Sequence, residues 1–265
     1  MSYGIIINMN VDTHFHIFLK NEVSTAYSRY PVDYDVKIND WLKVANEQQI
    51  TGGVLVQPSF LGFDNSYLIQ AIQQNPKHLR GVAVVEPTVS KETLLDLKKH
   101  GIKGIRLNLF GDENPLKTLD ENQILLGRLK SLDMHLQLHH DDGMLNELLL
   151  NISPGISIVV DHFGKPATDD EFRVNSAGIN KHQANLWVKL SAQYRTPNIN
   201  HQAIFQYWLN KIGDTRLLWG SDWPHTRFEA FESYELQMQK FLTLISNTAL
   251  KDQILSINPR ALYWS

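Results

Sequence analysis

His14 and His16 are the first residues of the chain whose types and spacing could support chemistry. They stand one residue apart in VDTHFH, which follows an apolar run near the start of the sequence. Positions i and i+2 of a strand face the same side, so both imidazoles would point into one space. Such a pair could bind a divalent metal, or it could polarise a carbonyl group without one. The spacing alone leaves both interpretations open.

Asp222 is the candidate general base. It ends an apolar run in LWGSDWPH and lies between Trp219 and Trp223. Two neighbouring indole rings would partly desolvate the carboxylate, so we expect its pKa to be raised, as suits a base. The structural alternative is that Asp222 caps the turn or helix that follows.

Two arginines could bind an anionic substrate. Arg106 interrupts the apolar run GIRLN, and Arg195 follows another in KLSAQYR. A guanidinium group pairs with a carboxylate in a bidentate manner, which predicts an acidic substrate. An internal ion pair, for example between Arg106 and Glu86, is the alternative. Ser59 lacks the glycines of a nucleophile elbow, and we interpret it as a hydrogen-bond donor.

These residues must be positioned by repeated strand and helix units. Short runs rich in Val, Ile and Leu alternate with longer amphipathic stretches, as is typical of βα repeats. Eight strands in about 250 residues predict a (β/α)8 barrel, formed by a single domain over residues 1–265. The predicted strands are residues 10–14, 53–59, 81–87, 104–110, 134–139, 156–162, 186–191 and 216–222.

Helix signals support this division. Ser90 is a predicted N-cap, and Gly101 is expected to end the same helix. Asp120 and Gln123 have the spacing of a capping box for the next helix. In a barrel of this kind, the chemistry lies at the C-terminal ends of the strands. The histidine pair, Asp222 and the other candidates fall at or near those ends, so one mouth would collect them.

Composition narrows the classes of partner. The chain has 25 Lys and Arg residues against 28 Asp and Glu residues, a formal net charge of -3, and no cysteine. We therefore expect a small-molecule ligand and no nucleic acid, and any metal must have nitrogen and oxygen ligands. The N-terminal apolar run is short for a signal peptide or membrane span, which predicts a cytoplasmic protein without a membrane partner. A homo-oligomer is compatible with the sequence.

The motifs VDTHFHIF, VLVQPS, GIRLN, VVDHFGKP, WGSDWPH and NPRALYW resemble the amidohydrolase superfamily. Within it they resemble the 2-pyrone-4,6-dicarboxylate lactonases and the related sugar-acid lactone hydrolases. The resemblance implies that Asp222 activates water, that His14, His16 and His162 polarise the lactone carbonyl, and that no metal is required. It also implies a set of substrate-binding residues: Ser59, Arg106, Arg195, Tyr30, His139 and His225.

Three departures from that pattern bear on the substrate. The lactonases carry a second arginine shortly after the one on strand four, where this chain has Asp112. His139 replaces a tyrosine, and Lys165 replaces an arginine. A carboxylated lactone is therefore a safer expectation than a pyrone dicarboxylate. His139 also completes the ligand set that mononuclear members of the superfamily use for a Zn-like ion, here His14, His16, His139 and Asp222.

Three functions follow from these observations. The first is hydrolysis of a lactone that carries a carboxylate. The second is a metal-dependent decarboxylase of the same superfamily, acting on an aromatic or muconate-like acid. The third is a barrel that binds an acidic ligand without catalysis.

Overall fold

The computed structural model describes residues 9–24 and 26–265, which form an eight-stranded parallel sheet curled into a barrel. Neighbouring strands follow chain order, as repeated right-handed βα units require. The (β/α)8 prediction is confirmed, and each predicted strand is present, the seventh with the predicted bounds and the others with shifted ends. The strands are β1 (Val11–Phe15), β2 (Gly52–Val56), β3 (Leu79–Ala83), β4 (Ile102–Asn108), β5 (His135–His139), β6 (Ile158–Val160), β7 (Leu186–Ser191) and β8 (Leu217–Gly220).

The barrel closes between the ends of β8 and β1. The amide of His16 donates to the carbonyl of Trp223 at 2.8 Å, and the amide of Asp222 donates to the carbonyl of His14 at 2.8 Å. These two hydrogen bonds lie beyond the last residue of β8. The closure of the barrel therefore also fixes Asp222 beside the histidine pair.

Helices surround the barrel. The predicted helix after Ser90 is confirmed, because the Ser90 side chain accepts a hydrogen bond from the Thr93 amide. The predicted capping box is wrong, because Pro115 starts a helix earlier and Asp120 lies within it. The helices are α1 (Ile38–Glu47), α2 (Ser66–Gln74), α3 (Lys91–Lys99), α4 (Pro115–Glu121), α5 (Gln123–Ser131), α6 (Leu145–Leu150), α7 (Glu171–Val174), α8 (Ala177–His182), α9 (His201–Ile212), α10 (Tyr234–Leu244), α11 (Thr248–Asp252) and α12 (Asn258–Tyr263).

The core has two parts on opposite faces of the sheet. In β5, Leu136 and Leu138 belong to the large apolar cluster between strands and helices. Because side chains alternate along a strand, Gln137 points into the barrel. Valines such as Val54 and Val159 fill the interior together with Tyr263 of α12. No helix among residues 9–24 and 26–265 combines the length and apolarity needed to cross a bilayer.

Candidate active site

A cavity of about 450 Å³ opens at the C-terminal ends of the strands. Its volume suits a small ligand, and its lining mixes aromatic rings with cationic groups. Among the lining residues, Asp222 is the one with a carboxylate. They are His16, Arg29, Tyr30, Pro58, Ser59, Phe60, Arg106, Asn108, Phe110, His139, His162, Lys165, Tyr194, Arg195, Pro197, Asp222, Thr226, Arg227 and Phe228.

The histidine pair and Asp222 form a compact triad at this cavity. His14 Nε2 lies 3.3 Å from His16 Nε2. Asp222 Oδ1 lies 3.5 Å from His14 Nε2 and 3.4 Å from His16 Nε2. All three residues are buried. The structure thus places these three sequence candidates in direct contact, with His14 beneath the cavity and the other two in its wall.

The surroundings of the triad determine which nitrogens carry protons. His16 Nδ1 lies 2.7 Å from the carbonyl oxygen of Val56, so it donates there. His14 Nδ1 lies 3.2 Å from Asp161 Oδ1, an ion-pair contact that favours a proton on Nδ1. Burial, opposed by Asp161, lowers the pKa of His14 to about 3, so its imidazole is neutral at pH 7. In the tautomers that carry the proton on Nδ1, both Nε2 atoms direct their lone pairs at each other and at Asp222.

This donor set fits a divalent cation. Three acceptor atoms about 3.4 Å apart have the spacing of neighbouring ligands around an ion with bonds of 2.0–2.1 Å. The Nδ1 contacts with a carboxylate and a carbonyl are the outer contacts that orient metal-bound histidines. Two groupings among the described residues could hold an ion, His14 with Asp161 and His162, and His14 with His16 and Asp222, and the second is the triad. His139, which the sequence placed in this set, is not part of it.

Asp222 differs electrostatically from the sequence-based expectation. Burial alone would raise its pKa, but the Arg195 guanidinium holds the pKa of this carboxyl well below its ordinary value. Arg195 Nε donates to Asp222 Oδ2 at 2.6 Å, and Tyr194 Oη donates to the same oxygen at 2.5 Å. The expected rise through Trp219 and Trp223 is therefore wrong. Asp222 is therefore ionised at neutral pH, with Oδ1 directed at the histidines.

His162 follows β6 and reaches the same space. Its Nδ1 lies 3.0 Å from Ser191 Oγ, and its ring centroid lies 5.2 Å from that of His14. Burial keeps the pKa of His162 well below its ordinary value, so the ring is neutral. In the tautomer in which Nδ1 accepts from the Ser191 hydroxyl, Nε2 carries the proton and can donate to a ligand. His162 is thus suited to stabilising negative charge on a carbonyl oxygen.

His139 neighbours His162, and their ring centroids lie 5.2 Å apart. Its Nδ1 donates to Asn108 Oδ1 at 3.1 Å, and its ring stacks on Phe110. Its buried Nε2 has no hydrogen-bond partner among the described residues. A buried acceptor without a partner is costly, and a donor on a bound ligand would satisfy it.

Arg106 is held by Asp161 and does not pair with Glu86. Its Nη2 and Nε lie 3.2 and 3.3 Å from Asp161 Oδ2. Gln137 donates to that oxygen as well, and Lys189 Nζ lies 3.6 Å from Oδ1. This buried network also includes the contact to His14, so Asp161 joins the arginine in the cavity wall to the triad.

Sequence reasoning missed Asp12 as a positioning residue. Its Oδ1 accepts from the amides of His14 and Ser221, and its Oδ2 accepts from the Ser221 hydroxyl and the Trp41 indole. Asp12 thereby ties β1 to the segment that carries Asp222. An acidic residue inside an otherwise buried strand was the available signal, since buried charges need partners.

Backbone strain is concentrated in the same loops. His162, with φ of 51°, and Asp222, with φ of 59°, adopt the left-handed conformation directly after β6 and β8. Non-glycine residues rarely occupy this region, and where they do the position is often functional. The strain turns both side chains toward the cavity.

The remaining predicted binding residues divide into two groups. Ser59, Tyr30 and Arg195 line the cavity, as predicted. His225 is buried, does not appear in the lining, and has its Nδ1 3.5 Å from Tyr194 Oη. Its contact with substrate therefore stays a prediction. The sequence also gave no reason to single out Arg29, Tyr194 or Arg227, which lie on loops after strands.

Comparisons with known proteins agree with this architecture. A probable 2-pyrone-4,6-dicarboxylic acid hydrolase from Acinetobacter baumannii, solved with citric acid bound, is 33% identical with a TM-score of 0.86, over 98% of this chain and 100% of that one. A structure from Pseudomonas putida is also 33% identical, with a TM-score of 0.89 over 98% of each chain. A 4-sulfomuconolactone hydrolase from Rhizobium radiobacter is 28% identical over 95% of this chain and 89% of its own length.

The model of the family described as Amidohydrolase matches residues 11–264. That range runs from the first residue of β1 to the end of α12 and contains the triad, His162 and the arginines of the cavity. The chain therefore belongs to the amidohydrolase family.

Proposed function

We propose that the protein hydrolyses a small lactone that carries a carboxylate. The observation that carries this proposal is the cavity, where cationic side chains surround His16, His139, His162 and a single carboxylate, Asp222. A carboxylated lactone needs both features, an anion site for recognition and a polarised carbonyl for attack. The names of the relatives from Acinetobacter baumannii and Rhizobium radiobacter support the same class of substrate.

In the proposed reaction, water attacks the lactone carbonyl carbon while Asp222 accepts one of its protons. His162 donates a hydrogen bond to the carbonyl oxygen as it becomes negative, and donors aimed at developing charge are a large catalytic contribution. The ring C–O bond then breaks, and Asp222 returns the proton to the departing oxygen. The product is a ring-opened acid with one added water.

Substrate recognition is assigned to the cationic and hydroxyl groups of the wall. Arg106 is fixed by Asp161, so its guanidinium is presented to the cavity without a search through rotamers. Ser59 and Tyr30 supply hydroxyl donors on the opposite loops. Arg195 lines the cavity beside Asp222, to which its Nε donates.

A metal ion would be held by His14, His16 and Asp222. Such an ion polarises a carbonyl and lowers the pKa of a bound water. The resemblance to the lactonases implies that hydrolysis proceeds without it, whereas the three convergent acceptors fit one. Hydrolysis rates before and after treatment with a chelator decide whether the ion is needed.

The experiment is a panel of carboxylated lactones, including 2-pyrone-4,6-dicarboxylate, incubated with purified protein at neutral pH. Loss of the lactone and appearance of the ring-opened acid are expected. Release of CO₂ from an aromatic acid would instead favour the metal-dependent decarboxylase. If neither reaction occurs while an acid raises the melting temperature, the barrel is a binding protein and the proposal is wrong.

A further inference from the structure

Arg29, on the loop after β1, reaches across the mouth of the barrel to the loop after β4. Its Nη1 donates a hydrogen bond to the carbonyl oxygen of Phe110. Its guanidinium carbon lies 5.7 Å from the centroid of the Phe110 ring. An arginine held by a carbonyl and an aromatic ring has a defined position although its side chain is exposed. Arg29 is therefore a fixed part of the cavity wall.

A second cation approaches the same ring. Lys165 Nζ lies 4.4 Å from the Phe110 centroid, and it is also 3.1 Å from Asp142 Oδ1. Arg29 and Lys165 thus flank Phe110 at one wall of the cavity. Two positive groups around one aromatic ring form a site that suits an anionic group attached to a flat ligand.

Of the other three arginines that line the cavity, Arg227 lies over the Tyr30 ring and has no ion-pair partner among the described residues, whereas the other two are committed to acids of the protein. Arg106 pairs with Asp161 and Arg195 pairs with Asp222. Arg29 has no ion-pair partner within residues 9–24 and 26–265. Its remaining N–H groups are consequently available for a ligand, and a guanidinium group has five in all.

Arg29 also lies where the sequence suggested a lost charge. Asp112 stands where the lactonases carry a second arginine, and its Oδ1 accepts from the Asn114 amide within the loop. Asp112 does not line the cavity. Nη1 of Arg29 lies beside Gly111, 3.1 Å from the position of a β-carbon there. The positive charge that the β4 loop lacks is thus supplied from the β1 loop.

We propose that Arg29 determines specificity by binding a second anionic group of the substrate, a carboxylate or a sulfonate. This inference rests on the proposed lactone hydrolysis and narrows it to dianionic lactones. The first anionic group is assigned to Arg106 and the second to the wall formed by Arg29, Phe110 and Lys165.

The test compares 2-pyrone-4,6-dicarboxylate with 2-pyrone-6-carboxylate, using Arg29→Ala and Arg29→Lys. The ratio of kcat/KM for the diacid to that for the monoacid should fall about 10- to 100-fold in Arg29→Ala, mainly through KM, as expected for a lost charged hydrogen bond. Arg29→Lys should recover part of the ratio. Arg173→Ala removes an exposed arginine in α7 and should keep the wild-type ratio. An unchanged ratio in Arg29→Ala would refute the proposal.

A sulfonated lactone in the same assay shows whether a sulfonate is accepted at this wall. A measurement of ligand binding distinguishes failure of this inference from failure of the proposed function. If wild type opens no lactone, calorimetry with benzene-1,3-dicarboxylate and benzoate still tests Arg29. A selective loss of affinity for the dicarboxylate in Arg29→Ala supports the binding role of Arg29 even if no lactone is hydrolysed. Equal affinities of wild type and variant for the dicarboxylate overturn it.

Discussion

Asp222 shows how a single carboxylate can have two distinct sides. Oδ2 is occupied by Tyr194 and Arg195, whereas Oδ1 faces His14 and His16. Trp219 was expected to desolvate this carboxylate, but it packs against Tyr234 in the outer core. Neighbouring residues on a strand point to opposite faces of the sheet. The sequence neighbours of a residue therefore do not predict which side chains contact it. The side chains that bind Oδ2 come instead from the loop after β7.

The triad makes a prediction about metal binding. Protein treated with a chelator should take up about one equivalent of Zn²⁺, because three acceptor atoms converge with their outer nitrogens already engaged. His16→Ala should bind far less, since one ligand atom is lost. Elemental analysis after dialysis measures the stoichiometry. His78→Ala, which removes an exposed histidine near Thr51, is the matched control. Equal uptake by His16→Ala and wild type would contradict the assignment.

At the scale of elements, β1 and β8 position the site together. The β-carbon that an alanine would add at Gly220 of β8 lies 2.5 Å from the His14 β-carbon. The two strands therefore approach each other closely at His14, which bears one imidazole of the triad. Glycine is required at this contact because any side chain would displace β1.

Gly220→Ala should destabilise the protein by about 1–3 kcal/mol, through overpacking against β1. It should also lower kcat, because His14 would move relative to Asp222. Gly127→Ala in α5 is the matched control, since nothing lies within 4 Å of the added methyl group and alanine favours helix. Urea unfolding and steady-state kinetics provide both readouts. Wild-type stability and activity in Gly220→Ala would show that the contact between β1 and β8 has room for a β-carbon.

The sequence predicted the elements better than their interactions. Apolar runs identified the eight strands because each strand buries side chains in the core, and buried positions are occupied by apolar residues. The cap at Ser90 was predictable because it involves only local hydrogen bonds. The break at Asn122 between α4 and α5 was not, since a starting proline outweighed the capping-box spacing. Likewise, the contact of Arg29 with Phe110 joins loops distant in sequence, and no periodicity indicates it.

At the scale of the whole molecule, the barrel interior contains ionisable groups that are neutral when folded. Burial lowers the pKa of His135 to about 3 and that of His140 to about 4. His135 contacts Tyr263 at the base of the barrel, on β5, which carries His139 at its opposite end. Strand β5 therefore supplies a cavity residue at one end and a buried titratable group at the other.

These histidines predict the pH dependence of stability. The unfolded chain protonates His135 near pH 6.5, whereas the folded chain does so near pH 3. The contribution of His135 to the free energy of unfolding is thus fully present above pH 6.5. It decreases as the pH falls toward 3, by up to about 1.4 kcal/mol per pH unit for each such group. His135→Gln should reduce the slope of unfolding free energy between pH 6.5 and 4.5, measured by urea titration. An unchanged slope would show that His135 titrates normally in the fold.

The central claim is that Asp222 activates water for attack on a carboxylated lactone. The most direct measurement is the initial rate of ring opening of 2-pyrone-4,6-dicarboxylate by wild type and by Asp222→Asn, with folding and ligand affinity checked in both. The account predicts measurable hydrolysis by wild type and a loss of kcat of roughly 100- to 10,000-fold in the variant, the range of general base catalysis. Full activity of Asp222→Asn on a lactone that wild type opens would contradict it.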